Sequence, residues 1–477
     1  MTKDKQRYIH FAIMFLLTIG ISLCPPFGQI TPYGMKALGV FVGVLYGWIF
    51  IDLIWPSIFG FAALGLSGLT TITQALSLGF GNQMLLLMMF ILIFCGALDA
   101  AGLTDFLSTW LLQRKIFRKN PWTLIIGIFL IGYIVGTLGP GLAAIFLLWS
   151  IVLRIAALCG IDEKDPLIAY LLFSIFVITN TGGFVLPFHS APVIFMGFLS
   201  QSGDFSIPYV PFIAFAFVIT MLLNILLILF GKYVLRLDAS RFVLPDEIAA
   251  EIEGREFSKK QIASFVVLIC YIAALLLPEL IPSLPGMKLL SSIGLLGITV
   301  IALLIMSFIS IEKEPLIDLT TVFSKHTQWP LLLLLAVTFP LAEVIKAQDA
   351  GIMATITKAI GPIVSNMGLV PFLIFIVLVL GVLTQVTHNL VLGAMFIPFL
   401  VPLGVELGGN AATIWFMIFF TLQAAYVTPA ASGQAAMVHG NEAMSKKYAY
   451  LLGLVWLVLH WIILIGVGIP LGSILFP

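Results

Sequence analysis

The chain has 477 residues, of which 61% are hydrophobic and 9% are charged, and its formal net charge is +1. This composition excludes an ordinary soluble domain, and the near-neutral charge argues against a nucleic-acid partner. The sequence therefore predicts an all-α polytopic membrane protein, surrounded by membrane lipid.

Membrane spans are the first elements that the pattern predicts. A helix needs about 20 apolar residues to cross a hydrocarbon core about 30 Å thick. Nine continuous segments are candidates: 8–24, 33–50, 53–70, 84–101, 208–231, 263–282, 288–309, 329–345 and 448–468. Interrupted apolar segments in each half bring the prediction to about 11 transmembrane helices.

Basic residues in short loops mark the cytoplasmic side of a membrane. Lys3, Lys5 and Arg7 place the N-terminus inside, and further basic loops lie at 114–119 and 232–260. The C-terminal GSILFP has no basic residue, so the C-terminus is predicted to lie outside. The protein is predicted to lie in the cell (inner) membrane. Segment 122–160 starts and ends inside, so it is a re-entrant hairpin or a pair of short full spans; charge parity does not separate the two.

The two halves of the chain resemble each other. GALDAAGLTDFLSTWL (96–111) aligns with VIKAQDAGIMATITKAI (344–360), and the segment that follows is basic only in the first copy. The basic segment marks the inside and the segment without basic residues marks the outside. Opposite sides imply opposite orientation, so the halves are predicted to be inverted repeats, each with a re-entrant hairpin and a broken helix. The predicted divisions are an N-terminal extra helix (1–31), a first repeat (32–231), a cytoplasmic connector (232–261) and a second repeat (262–477).

Polar residues, Gly and Pro interrupt the apolar pattern twice in each half, at 137–141, 180–192, 384–389 and 428–434. Irregular backbone survives at membrane depth only where it is buried in protein or lines a cavity. Helix N-termini at such breaks suit an anion, and carbonyl or hydroxyl oxygens suit a small cation. This arrangement is typical of a secondary transporter and not of a channel, which needs a continuous polar pore.

The order of elements resembles the divalent anion/sodium symporter family of the ion transporter superfamily. In TQVTHNLV, Asn389 falls on that family's tip asparagine and Thr384 on the threonine one turn earlier; both help to hold sodium there. Ala431 and Ser432 fall on the small-Thr pair of the second broken helix, and Ser190 on the matching hydroxyl of the first. The resemblance implies sodium-coupled transport of di- or tricarboxylates or sulfate, an elevator motion and a homodimer.

This chain also departs from the family pattern. His388 stands where the family has serine, and Gly139-Pro140-Gly141 replaces the Ser-Asn-Thr tip of the first hairpin. A Gly-Pro-Gly tip can still offer carbonyl oxygens, and polar residues nearby in sequence could compensate for the missing side chains.

The predicted function is therefore sodium-coupled symport of a small organic anion, with a di- or tricarboxylate as the solute and no cofactor besides the ion. Predicted solute contacts are Ser190, His388, Asn389, Ser432, Gln434, Gly141 and Thr181. Predicted sodium ligands are Thr384, Thr387, Asn389 and Ala431, with Thr137, Gly139 and His189 as weaker candidates.

Two alternatives stay open at this point. Coupling to protons through His388, or exchange, would suit another small anion such as a short-chain carboxylate, an amino acid or a peptide. An enzyme is not predicted, because the chain has no HExxH, no GxSxG and no paired Asp within a span.

Overall fold

The computed structural model describes residues 3–114, 116, 120–139, 141–203, 205–253, 255–355, 358, 367–429 and 431–477. Within these residues the chain forms 22 α-helices and one short antiparallel pair of strands. The architecture confirms the prediction of an all-α polytopic membrane protein. Of the features predicted from sequence, Lys115, Arg118, Lys119, Pro140 and most of segment 356–366 lie outside the described residues.

Twelve helices precede the second half. They are α1 (Lys3–Leu23), α2 (Pro32–Phe50), α3 (Ile54–Leu66), α4 (Ile72–Phe80), α5 (Gln83–Ala100), α6 (Leu103–Leu112), α7 (Pro121–Leu138), α8 (Gly141–Leu158), α9 (Pro166–Gly182), α10 (Ser190–Leu199), α11 (Tyr209–Leu229) and α12 (Asp246–Glu253). A π-helical turn, Phe230–Val234, continues α11.

The second half contains the other ten helices and the strands. They are α13 (Lys259–Leu280), α14 (Met287–Phe308), β1 (Ser310–Ile311), β2 (Glu314–Pro315), α15 (Leu319–His326), α16 (Trp329–Lys346), α17 (Leu369–Leu383), α18 (Asn389–Glu406), α19 (Ala411–Gln423), α20 (Gly433–Gly440), α21 (Lys446–Ile463) and α22 (Ile469–Leu475). A 3₁₀ turn, Gln348–Ala350, follows α16, and a π-helical turn, Leu464–Gly468, joins α21 to α22.

Nine helices of the described part are long and apolar enough to cross a membrane. They are α2, α5, α7, α11 continued to Val234, α13, α14, α16, α18, and α21 continued to Leu475. The predicted span at 53–70 is wrong, because α3 has 13 residues, which is about 20 Å. It ends before Gly68, whose φ of +76° breaks the helix, and Thr71 then caps the separate helix α4.

The first compact unit comprises Met1–Met89, Ile194–Ser206 and Gln328–Leu422. In it α2 packs against α1 and α3, and α16 packs against α3 and α4. A Cβ added at Gly79 of α4 would lie 2.5 Å from the carbonyl oxygen of Ala336 of α16, so glycine permits this close helix approach. The unit also carries the second hairpin, α17 and α18.

The second compact unit comprises Phe90–Val193, Ile207–Thr327 and Gln423–Pro477. Its centre is α9, which packs against both α7 and α8. A Cβ at Gly136 would lie 2.2 Å from the Thr179 carbonyl oxygen, and one at Gly182 would lie 2.4 Å from that of Tyr133. Helices α7 and α9 therefore meet backbone to backbone through small residues.

Two exposed ion pairs join separate parts of the second unit. Arg255 binds Asp105 at 2.6 Å, and Lys260 binds Glu314 at 2.7 Å. The hydrogen bond and positive charge from Lys260 lower the pKa of the Glu314 carboxyl. Both pairs are solvent-exposed, so they orient the connector and contribute little to stability.

Candidate functional site

The second hairpin has its helical backbone interrupted at its tip. Helix α17 ends at Leu383 and α18 begins at Asn389, so residues 384–388 form a turn between them. The predicted interruption therefore falls between two helix ends, where main-chain groups lack helical partners.

Thr384 is fully buried at the end of α17. Its hydroxyl donates to the carbonyl oxygen of Leu422 at 2.9 Å. Gln385, also buried, donates its Nε2–H to the Gly381 carbonyl at 2.9 Å. These bonds hold the start of the turn and leave the Thr384 oxygen with lone pairs for a further partner.

His388 is the N-cap of α18. Its Nδ1 accepts a hydrogen bond from the backbone N–H of Leu390 at 3.3 Å, so a neutral ring must carry its proton on Nε2. Thr387 and Asn389 flank it and are half-buried. The Thr387 hydroxyl has no hydrogen-bond partner among the described residues, and Asn389 supplies the first turn of an 18-residue helix.

The first hairpin turns at a tip without polar side chains. Helix α7 ends at Leu138, Gly139 is extended and buried, and α8 begins at Gly141. The Thr137 hydroxyl donates to the Tyr133 carbonyl at 2.8 Å, inside its own helix. A Cβ at Gly141 would touch the Thr179 methyl at 3.4 Å, so Gly141 lies beside α9.

The first break lies between α9 and α10, where residues 183–189 form successive tight turns. His189 contacts the first hairpin tip, because its Nε2 lies 3.1 Å from the Gly139 carbonyl oxygen. On the other side of the ring, Nδ1 lies 3.4 Å from the Ser190 hydroxyl. The structure thus brings three of the predicted residues together: Gly139, His189 and Ser190.

Thr181, a predicted solute contact, is buried at the end of α9. Its hydroxyl lies 3.0 Å from the Ile178 carbonyl and 3.1 Å from Asn224 Oδ1. The sequence reasoning missed Asn224, although a lone amide inside the apolar helix α11 is a signal of a helix contact. Its Nδ2 is buried and has no hydrogen-bond partner in the described part of the chain.

The second break separates α19 from α20. Ser432 caps α20 by accepting from the Ala435 N–H at 3.1 Å, and its hydroxyl lies 3.3 Å from the Ala425 carbonyl. Ala431 is fully buried. Gln434 is half-buried on the first turn of α20, and its side chain has no hydrogen-bond partner among the described residues.

His439, near the end of α20, brings its Nε2 to 3.0 Å from the Val427 carbonyl. The carbonyl can only accept, so Nε2 is the donor. Tyr426, buried beside the same break, has its hydroxyl next to the Asn180 side chain of α9. Tyr426 is not among the residues predicted from the sequence, although its position directly before the second break could have indicated a role at the site.

Asp99 is linked to the start of α6. The Thr104 hydroxyl donates to its Oδ1 at 2.7 Å, which ties the end of α5 to α6. A Cβ at Gly139 would lie 3.6 Å from the Thr104 hydroxyl, so this pair borders the first hairpin tip.

The two hairpin tips and the two breaks contain uncharged residues. Residues 139, 183–189, 384–388 and 424–432 include no Asp, Glu, Lys or Arg. The described residues also contain no group of three or more His, Cys, Asp or Glu that could hold a metal ion. Oxygen ligands from hydroxyls, amides and carbonyls suit an alkali cation, and N–H groups at helix starts suit an anion.

Known proteins with similar features are transporters. A family model described as CitMHS, Citrate transporter, matches residues 41–422. The fold is similar to that of the YdaH transporter from Alcanivorax borkumensis, with a TM-score of 0.61 and 17% identity over 87% of this chain and 90% of that chain. At this identity the second likeness concerns the fold alone. A search of the curated proteins gives no match.

Proposed function

Since the chain belongs to the citrate transporter family, we propose that it is a secondary active transporter that carries citrate or another di- or tricarboxylate together with sodium ions. Family membership makes the chain a membrane transporter and not an enzyme. The observation that carries the proposal is the family match over residues 41–422, which includes both hairpins and the first break.

Anion binding would rely on neutral donors. The 18-residue helix α18 starts at the second tip, so its first N–H groups and the positive end of its dipole suit a carboxylate. In the second compact unit, Gln434 on the first turn of α20 stays a predicted solute contact. Without an Arg or Lys partner the solute would be held weakly enough to be released on the other side of the membrane.

Sodium binding would rely on oxygen atoms of the second hairpin tip. The Thr384 oxygen keeps free lone pairs after donating to Leu422, and the Thr387 hydroxyl faces no described partner. With the Asn389 amide they give three oxygen donors within six consecutive residues. Sodium coupling, the elevator-type motion and the homodimer come from the resemblance to divalent anion/sodium symporters and stay predictions.

The test is uptake of radiolabelled citrate into proteoliposomes that contain the purified protein. A sodium gradient and a proton gradient are imposed separately, with choline replacing sodium in the second case. We expect saturable citrate uptake that follows the sodium gradient and is competed by other tricarboxylates and dicarboxylates. Uptake that follows the proton gradient alone would overturn the sodium assignment; no citrate uptake under any gradient would overturn the solute assignment.

A matched pair of variants locates the site. Asn389→Ala is expected to abolish uptake, because it removes a proposed ligand at the start of α18. The control is Asn410→Ala, since the Asn410 Oδ1 accepts from the Ala412 N–H at 2.8 Å at the start of α19, outside the breaks. Normal transport by Asn389→Ala would place the site elsewhere.

Proton coupling is a second candidate because His388 caps α18 through a lone pair. A ring protonated on both nitrogens cannot accept the Leu390 N–H, so protonation would remove the cap at the second tip. The same pair of gradients distinguishes this candidate from sodium coupling.

A further inference from the structure

We propose that His189 is a positioning residue that holds the first hairpin tip against the first break, in place of the polar side chains that the tip lacks. The inference extends the proposed function, and its transport readout rests on that function. The geometry it rests on is local to the second compact unit.

The first tip has no side chain that can form a hydrogen bond to the neighbouring break. Gly139 and Gly141 have none, and Pro140 has neither a side-chain oxygen nor a backbone N–H. Gly139 is buried and its carbonyl follows the last residue of α7, where helical carbonyls have no partner in the helix. Such a carbonyl needs a donor from another part of the chain.

His189 supplies that donor. Its Nε2 lies 3.1 Å from the Gly139 oxygen, and a carbonyl only accepts, so Nε2 carries the hydrogen. The neutral ring then has its lone pair on Nδ1, and the Ser190 hydroxyl, 3.4 Å away, is placed to donate to it. Partners on both sides therefore select one tautomer and one ring orientation.

The break also provides space for the ring. A Cβ at Gly183 would lie 3.1 Å from His189 Cε1, which is tighter than ordinary contact. Glycine at this position lets the imidazole lie against the turn. Because both ring nitrogens are engaged, we assign His189 a role in shaping the tip and not the sodium-ligand role predicted from the sequence.

The two hairpins thus use an imidazole in different ways. At the second tip, His388 lies in the tip itself and accepts from a backbone N–H. At the first tip, His189 reaches in from the break and donates to a backbone carbonyl. A donor from the break thus compensates for the Gly-Pro-Gly tip, which stands where the divalent anion/sodium symporter family that the sequence resembles carries polar side chains.

The experiment measures tip accessibility and transport in the same variants. The four native cysteines are replaced by alanine, and Leu138→Cys places one thiol at the end of α7. His189 is changed to Gln, Asn or Ala in this full-length background. The Gln amide nitrogen can reach the position of Nε2 and keep the donor, whereas the Asn amide is too short.

We expect the alkylation rate of the thiol at position 138 to rise about fivefold in His189→Ala and His189→Asn, which is the effect of losing one hydrogen bond. His189→Gln should stay close to the parent. In uptake assays the Ala and Asn variants should raise the KM for citrate more than they lower kcat, and Gln should recover both. The control is His439→Ala, which removes the same kind of bond at the other break and should leave alkylation at position 138 unchanged.

An Ala variant with the parent alkylation rate would overturn the proposal, and so would a Gln variant as impaired as Ala. If Ala does not fold, the comparison between Gln and Asn decides the outcome. If no variant transports citrate, including the parent, the proposed function fails while the alkylation series still tests His189.

Discussion

The Thr384 hydroxyl donates to the carbonyl oxygen of Leu422 at 2.9 Å. Leu422 is the penultimate residue of α19, so no N–H group within the helix donates a hydrogen bond to its carbonyl oxygen. One side chain thus satisfies an end of α19 while its oxygen remains able to bind a cation.

Thr384→Val should lower both stability and sodium dependence. Leaving the Leu422 carbonyl without its donor costs about 1–3 kcal/mol, and valine offers no oxygen to sodium. Thermal unfolding in detergent and the sodium concentration for half-maximal uptake measure the two effects. Thr384→Ser keeps the hydroxyl and should restore both.

A Thr384→Val protein that unfolds earlier but keeps its apparent sodium affinity would show that Thr384 is only structural. The predicted ligand set would then lose this residue.

Gly136→Ala should destabilise the second unit strongly. The new Cβ would lie 2.2 Å from the Thr179 carbonyl oxygen, and backbone on both sides leaves no flexible group to move. Overpacking of this kind costs about 1–3 kcal/mol or more. The matched control is Gly20→Ala in α1, where a Cβ meets nothing within 4 Å and should be tolerated. Equal unfolding temperatures for the two variants would contradict the close packing of α7 against α9.

Long apolar spans and their breaks could be predicted because local patterns specify them. Segment 84–101 was predicted where α5 covers Gln83–Ala100, and the break at 384–389 falls between α17 and α18. Spans follow from hydropathy and length, and breaks follow from Gly, Pro and polar residues. The prediction of a span at 53–70 was wrong because Gly68 and the Thr71 cap divide this apolar segment into two helices. The average hydropathy of the segment does not reveal that division.

Side-chain partners could not be predicted in the same way. Thr181 lies at a break, but its hydroxyl is 3.1 Å from the Oδ1 of Asn224, 43 residues later. His189 bonds a carbonyl 50 residues earlier. Such pairs depend on how the helices pack, and hydropathy patterns contain no information on which polar groups will meet across helices.

Ser432→Ala and Gln434→Ala should affect different properties. Ser432 caps α20, so its loss costs about 1 kcal/mol of stability and should reduce uptake as well. Gln434 has no hydrogen-bond partner among the described residues, so alanine should leave the unfolding temperature unchanged while raising the KM for citrate. Unchanged transport kinetics in Gln434→Ala would remove it from the proposed solute contacts.

His388→Asn separates the cap at the second tip from proton coupling. Asparagine is a favoured N-cap residue, so it can accept from the first-turn N–H groups of α18 as the His388 Nδ1 does. It cannot be protonated between pH 5.5 and 8. If sodium is the coupling ion, His388→Asn should transport with the pH profile of the parent, and His388→Ala should be impaired at every pH because the cap is lost. A stable His388→Asn protein that still takes up citrate but has lost the pH dependence of the parent would instead support coupling through the imidazole. Loss of uptake at every pH would instead reflect the predicted solute contact of His388.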